Sequence, residues 1–148
     1  MFKEKIYPNL LVTVQLGSLL FLAVSGAWLA GSPFGLIVEF FGIVLGIVAI
    51  YVAGIGNVNI RPLPREGGRL VTSGPYRYIR HPMYLAQVVA FIPLVVTYYS
   101  PLRLAVILAL TAALLLKMPY EEKGLVGQFG EDYKAYRART KKVIPFIY

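Results

Sequence analysis

Residues 69–84 concentrate side chains that could do chemistry. The stretch Arg69-Leu-Val-Thr-Ser-Gly-Pro-Tyr-Arg-Tyr-Ile-Arg-His-Pro-Met-Tyr84 holds the chain's only histidine, His81. Arg69, Arg77 and Arg80 accompany it, with Tyr76, Tyr78 and Tyr84. Gly74-Pro75 signals a turn, and Pro75 suits the first position of a short helix. His81 precedes a proline and is therefore biased away from the α region. Pro82 can open the next helix, where its missing N–H costs nothing. The reading is a loop, one helical turn, a break at His81 and then a long helix. That break sets an imidazole and a guanidinium beside a helix N-terminus, an end that attracts anions. The plainer reading is a basic loop whose arginines anchor at lipid headgroups.

A second group follows residue 118: Glu121, Glu122, Tyr133, Tyr136 and Arg137. Glu122, Val126, Phe129, Tyr133 and Tyr136 fall on one helical stripe, apolar except at its start, which must dock onto something. Gly124, Gly127 and Gly130 weaken one continuous helix, so the spacing predicts two short helices hinged at Gly130. An imidazole, arginines, aromatics and a carboxylate pair suit a zwitterionic cofactor containing a ring. The acid would pair an ammonium or a ribose, arginine a carboxylate, and tyrosine a base or a cation. The plainer alternatives are surface ion pairs and an interfacial tyrosine belt.

The elements that must position these groups are apolar. Of 148 residues, 57% are hydrophobic and the mean hydropathy is +0.65, too apolar for an ordinary soluble domain. One all-α membrane domain of about four transmembrane helices is expected, with a helical C-terminal segment. The spans run from about Leu10 to Ala30, Phe34 to Gly56, Pro82 to Tyr98 and Leu102 to Met118. The uncharged link Gly31-Ser32-Pro33 predicts that spans one and two are antiparallel neighbours. Spans three and four should form a hairpin, with Pro93 kinking the third or loosening one turn. Gly42-Ile-Val-Leu-Gly46 offers a close-packing face, within the chain or across a dimer. Glu39 either reaches the membrane interface or bonds a neighbouring helix.

The net charge is +8, and the bases lie in the head, the loop at 57–80 and the tail. Because they flank apolar spans, membrane orientation explains them better than nucleic acid does. The positive-inside rule puts both termini and the central loop in the cytoplasm. Loop and tail then share one side, where they can meet. The chain has no cysteine, which rules out disulfides, thiol nucleophiles and Cys-ligated metal, and a single histidine rules out a multi-histidine centre. The first apolar run lacks a convincing cleavage site, so no cleavable signal peptide is expected.

The run Leu70-Val-Thr-Ser-Gly-Pro-Tyr-Arg-Tyr-Ile-Arg-His-Pro-Met-Tyr84 resembles the signature of the isoprenylcysteine carboxyl methyltransferase and phospholipid methyltransferase superfamily. Glu121-Glu122, Phe129-Gly-Glu-Asp-Tyr133-x-x-Tyr136 and Ile144-Pro145-Phe146 resemble its closing segment. The likeness covers roughly the last 90 residues, and the first two spans resemble nothing in particular. It implies an integral membrane enzyme using S-adenosyl-L-methionine, with a lipophilic or prenylated acceptor entering from the bilayer. Carried over by motif, Leu70, Tyr76, His81, Pro82 and Tyr84 match one half of the cofactor pocket. Glu121 or Glu122 matches the other, with Glu121 favoured. Arg80 and Arg137 are candidates for orienting an anionic acceptor, and Glu122 or His81 for taking a proton. A carboxylate acceptor, the favoured one, needs no base, whereas an amine or thiol does. Competing readings are an NADPH-dependent sterol-reductase-like enzyme and a non-catalytic membrane scaffold.

Overall fold

The computed structural model describes residues 2–55, 57, 67–145 and 147, with side chains from Tyr7 onward. Residues 58–66 and Phe146, which carry part of the loop and tail expectations, lie outside the described residues. The order is α1 (Phe2–Val24), α2 (Pro33–Ala53), the short 3-10 helix η1 (Gly74–Arg77), α3 (Pro82–Thr97) and α4 (Pro101–Arg139).

Each helix start follows from its residues. Pro33 opens α2 behind Ser32, whose Oγ accepts from the Gly35 amide. Pro101 opens α4 behind Ser100, whose Oγ accepts from the Arg103 amide. Both are side-chain N-caps on amides that lack helical partners. His81 precedes α3 with φ −121° and ψ 56°, outside the α region as its place before proline demands.

By length and composition α1, α2 and α4 can cross a membrane, whereas α3 has only 16 residues. At 1.5 Å per residue α3 is about 24 Å long, short of a hydrocarbon core of about 30 Å. Up to its break at Gly130, α4 runs from Pro101 to Phe129, about 44 Å by the same rise, so only its apolar half, Pro101 to Met118, fits within that thickness. Its polar half projects beyond.

Three expectations need correction. The first helix begins at Phe2 and ends at Val24, not Ala30. Ser25 and Gly26 instead receive the buried Arg103, which donates to Ser25 Oγ at 2.5 Å and to the Leu94 carbonyl. A Cβ on Gly26 would lie 2.8 Å from that guanidinium. Second, α1 and α2 are joined but are not packing partners: α2 packs on α3 and α1 on α4. The reason is shape. A Cβ on Gly42 would lie 2.5 Å from the Ala90 nitrogen, so α2 approaches α3 to backbone contact. The close-packing face is thus used within the chain. Third, α4 runs without interruption through Pro119 and breaks only at Gly130 (φ 54°, ψ −124°), the expected hinge.

Leu22, Val95, Ile107, Leu110 and Leu114 form the core between α1, α3 and α4. α3 continues unbroken through Pro93. Glu39 is buried, and its carboxylate accepts from the Ala30 amide at 2.9 Å, holding the link between α1 and α2. Large apolar side chains such as Phe34, Phe40, Phe41 and Ile47 face outward, as expected where lipid is the solvent.

Candidate functional site

The loop before α3 and the segment after α4 come together by backbone pairing. Ile79 and Lys141 form a parallel bridge. The Arg80 amide donates to the Lys141 carbonyl at 2.8 Å and the His81 amide to the Lys142 carbonyl at 2.9 Å. In return the Lys141 amide donates to the Tyr78 carbonyl at 3.1 Å. The chain can turn back to make this seam because α4 breaks at Gly130, at a positive φ that suits glycine. The expected meeting of loop and tail is therefore present.

Side chains lock the seam. Arg80 Nε donates to Glu122 Oε1 at 2.7 Å, and its Nη1 donates to the Thr140 carbonyl at 2.5 Å and the Arg137 carbonyl at 3.3 Å. His81 Nε2 lies 3.3 Å from the same Glu122 oxygen. Glu122 lies beyond the apolar half of α4. Burial pushes its carboxyl up, but the His81 and Arg80 hydrogen bonds outweigh that and hold it down at about 2. Glu122 is thus an ionised tie behind the site. The Tyr136 hydroxyl donates to the Tyr76 carbonyl at 2.7 Å.

Glu121 points elsewhere. Its Oε2 accepts from the Tyr84 hydroxyl at 2.6 Å and lies 3.8 Å from His81 Nδ1. The His81 and Tyr84 rings stack at 5.3 Å between centroids, tilted by 10°. A chamber of about 100 Å³ lies here, walled by Leu70, Tyr76, Arg80, His81, Pro82, Tyr84 and Glu121, with Tyr133 and Tyr136. Two of its hydroxyls, on Tyr76 and Tyr133, are buried and have no hydrogen-bond partner among the described residues. Burial above all, then the Glu121 charge, pushes the Tyr76 phenol well above its ordinary range, so it keeps its proton as a donor. Buried polar groups are normally paired, so two orphan hydroxyls are suited to a polar ligand.

A second cavity, of about 460 Å³, adjoins the first. All four long helices line it, largely with apolar groups such as Leu16, Leu19, Ile50, Ala90 and Phe91. Tyr84 and Glu121 wall both spaces. The smaller chamber has room for about three waters, so a nucleoside-sized ligand fills it only together with adjoining space.

Of the residues singled out from sequence, Leu70, Tyr76, Arg80, His81, Pro82, Tyr84 and Glu121 thus converge on one chamber. Glu122 stands behind it. Arg137 and Tyr78 are not brought in: both are exposed, and Arg137 offers Arg80 only its carbonyl. Sequence reasoning missed Gln15, Gln87 and Lys117, which line the larger cavity. Their signal was polarity within apolar spans, where such residues carry function by default.

Residues 31–132 match the family of phospholipid methyltransferases. The chain belongs to this methyltransferase family. The match begins before α2, so the likeness extends further toward the N-terminus than the two motifs alone. The chain is 30% identical over 118 residues to protein-S-isoprenylcysteine O-methyltransferase B of Arabidopsis thaliana, covering 78% of this chain and 60% of that protein. It is 34% identical over 124 residues to protein-S-isoprenylcysteine O-methyltransferase of Rattus norvegicus, covering 81% of this chain and 42% of that protein. It is also 32% identical over 71 residues to methanethiol S-methyltransferase 1 of Bradyrhizobium diazoefficiens, covering 48% of this chain and 24% of that protein. The chain therefore spans about 60% or less of these three relatives.

Proposed function

We propose that the chain is a single membrane methyltransferase domain that moves a methyl group from S-adenosylmethionine to a lipid-like acceptor, with a carboxylate as the favoured nucleophile. One observation carries this reading. A polar chamber with orphan hydroxyls adjoins a larger apolar cavity, and the two meet at the Tyr84–Glu121 hydrogen bond. A water-soluble donor and a membrane-partitioned acceptor need such a pair of spaces. The family and its isoprenylcysteine relatives support the same chemistry.

When bound, S-adenosylmethionine supplies a methyl already activated on sulfur: the acceptor oxygen bonds to it as the sulfur–carbon bond breaks and its electron pair returns to sulfur. The residues then have to position and exclude water. Tyr76, Tyr133 and Glu121 offer donors and a carboxylate to the polar parts of the donor, while His81, stacked on Tyr84, and Pro82 and Leu70 form the wall. Arg80 and Glu122 position the tail against the loop. The basic charge of the loop and tail supports a cytoplasmic position for this face. A thiol acceptor is the second reading, favoured by the methanethiol relative, and there the imidazole of His81 would take the proton.

The test is transfer of labelled methyl from S-adenosylmethionine into organic-extractable material by the purified protein supplied with membrane lipid extract. The expected product releases its label as methanol in alkali, as an ester does. Alkali-stable label would point to an amine or thioether. No incorporation across extracts from several sources would contradict the proposal.

A further inference from the structure

We infer that Gln87, held in orientation by Gln15 and Lys117, presents a hydrogen-bond donor to the larger cavity and selects methyl acceptors that carry a carbonyl oxygen about one helical turn behind the reacting head group. The purpose rests on the methyltransferase reading, whereas the geometry stands without it. Three polar side chains, one each from α1, α3 and α4, form a rung across the apolar bundle. Lys117 Nζ donates to Gln15 Oε1 at 2.6 Å, and Gln15 Nε2 donates to Gln87 Oε1 at 2.8 Å. Lys117 and Gln15 are buried. An ammonium only donates, so it fixes which end of the Gln15 amide faces it. The Gln15 nitrogen then faces Gln87, and its N–H requires the Gln87 oxygen. The Gln87 nitrogen is the end of the rung, and it has no partner among the described residues. Lys117 acts as the anchor of the rung, not as a charge for a ligand: it is engaged in a further interaction and shares the cavity wall with Glu121 and Arg69.

Gln87 is half-buried and lines the cavity of about 460 Å³, together with Leu16, Leu19 and Phe91. An amide N–H left unpaired among apolar walls is costly, and hydrocarbon supplies no water to meet it. A ligand oxygen meets it. The place of Gln87 on α3 sets where that oxygen lies. Tyr84, the wall shared with the polar chamber, stands three residues earlier on the same helix face, about 4.5 Å along the axis. A nucleophile at the Tyr84 boundary and a carbonyl at Gln87 are then separated by roughly three or four covalent bonds. A plain fatty acid has no oxygen there. An amphiphile with a carboxylate head and an amide or ester carbonyl a few bonds behind it does, and this is the substrate class assigned to the cavity. The rung also gives α1 a role in the site, although its sequence carries no motif.

The test uses the full chain in neutral detergent and two labelled probes, N-tetradecanoylsarcosine and heptadecanoate, at equal loading per micelle. They match in charge and chain length, and differ by a tertiary-amide carbonyl that accepts without donating. The affinity ratio of sarcosinate to heptadecanoate should be about threefold to tenfold higher in wild type than in Gln87→Met, the worth of one hydrogen bond. Gln15→Met, which releases the Gln87 amide from its tether, should lose part of that advantage, and an undiminished advantage there would remove the positioning role of the rung. The same ratio in wild type and Gln87→Met would overturn the assignment, since a rung that only joins helices changes both affinities alike. A wild-type measurement needs no variant to fold: with nitrogen-15 in the glutamine side chains, one amide signal should shift with sarcosinate and not with heptadecanoate. Identical responses to both probes would overturn the assignment. Binding of S-adenosylhomocysteine is measured separately on the same preparation. Its absence would count against the methyltransferase reading, while the probe ratio would still decide the role of Gln87.

Discussion

The Tyr84 hydroxyl donates to the Glu121 carboxylate at 2.6 Å, joining the first turn of α3 to α4 where the polar and apolar cavities meet. Neighbouring Glu122 faces the other way and binds Arg80 and His81. Two adjacent acids on one helix thus divide the work: Glu121 faces the cavities, and Glu122 fixes the seam.

Glu122→Ala leaves the Arg80 guanidinium buried without its carboxylate. A loss of about 3–5 kcal/mol in stability is expected, read as a fall in thermal midpoint in detergent. Arg80→Ala should cost a comparable amount, and the double variant much less than the two together.

The Glu122 pair also sets a response to acid. Its carboxyl is held at about 2 in the fold against an ordinary 4.5. Its stabilisation is therefore present above 4.5 and lost as pH falls through about 2. The gap in thermal midpoint between wild type and Glu122→Gln should be constant above that window and shrink within it. A gap that stays constant down to the lower limit would contradict the pairing.

Gly42 and Gly46 offer a contrast within one helix. A Cβ on Gly42 would lie 2.5 Å from the Ala90 backbone, whereas one on Gly46 would lie 3.4 Å from the Ala86 Cβ. Gly42→Ala should destabilise by about 1–3 kcal/mol through overpacking, and Gly46→Ala should change little. Thermal unfolding of the two variants side by side measures this.

Much of this arrangement is legible in local residues. The turn at Gly74-Pro75, the break at His81, the hinge at Gly130 and the meeting of loop and tail follow from backbone preferences and charge. What the sequence hides is long-range. The short link suggests that α1 lies on α2, but Gly42 and Ala90 let α3 come closer, and α1 goes to α4. The fall in apolar character after Met118 ends the fourth span in the sequence, yet the helix itself continues through Pro119. Lys117 looks like a span-end base until Gln15, from the far end of the chain, is seen bonded to it. Arg137 carries the right charge for the site, but its place on the hinged tail turns it outward.

Tyr133 separates stability from binding. Its hydroxyl is buried without a partner among the described residues, so Tyr133→Phe should not lower the thermal midpoint, because an unmet desolvation cost is removed. The same variant should weaken donor binding about threefold to tenfold, the worth of one hydrogen bond. A stability loss with unchanged donor affinity would reverse the assignment.

The most direct measurement is equilibrium binding of S-adenosylhomocysteine to the purified protein in detergent, beside NADPH, with His81→Ala and Glu121→Ala. Saturable binding of the homocysteine compound, lost or strongly weakened in both variants, with none of NADPH, is the result expected of a methyl-donor chamber between loop and tail. Binding of NADPH alone, or homocysteine-compound binding that neither variant disturbs, would contradict it.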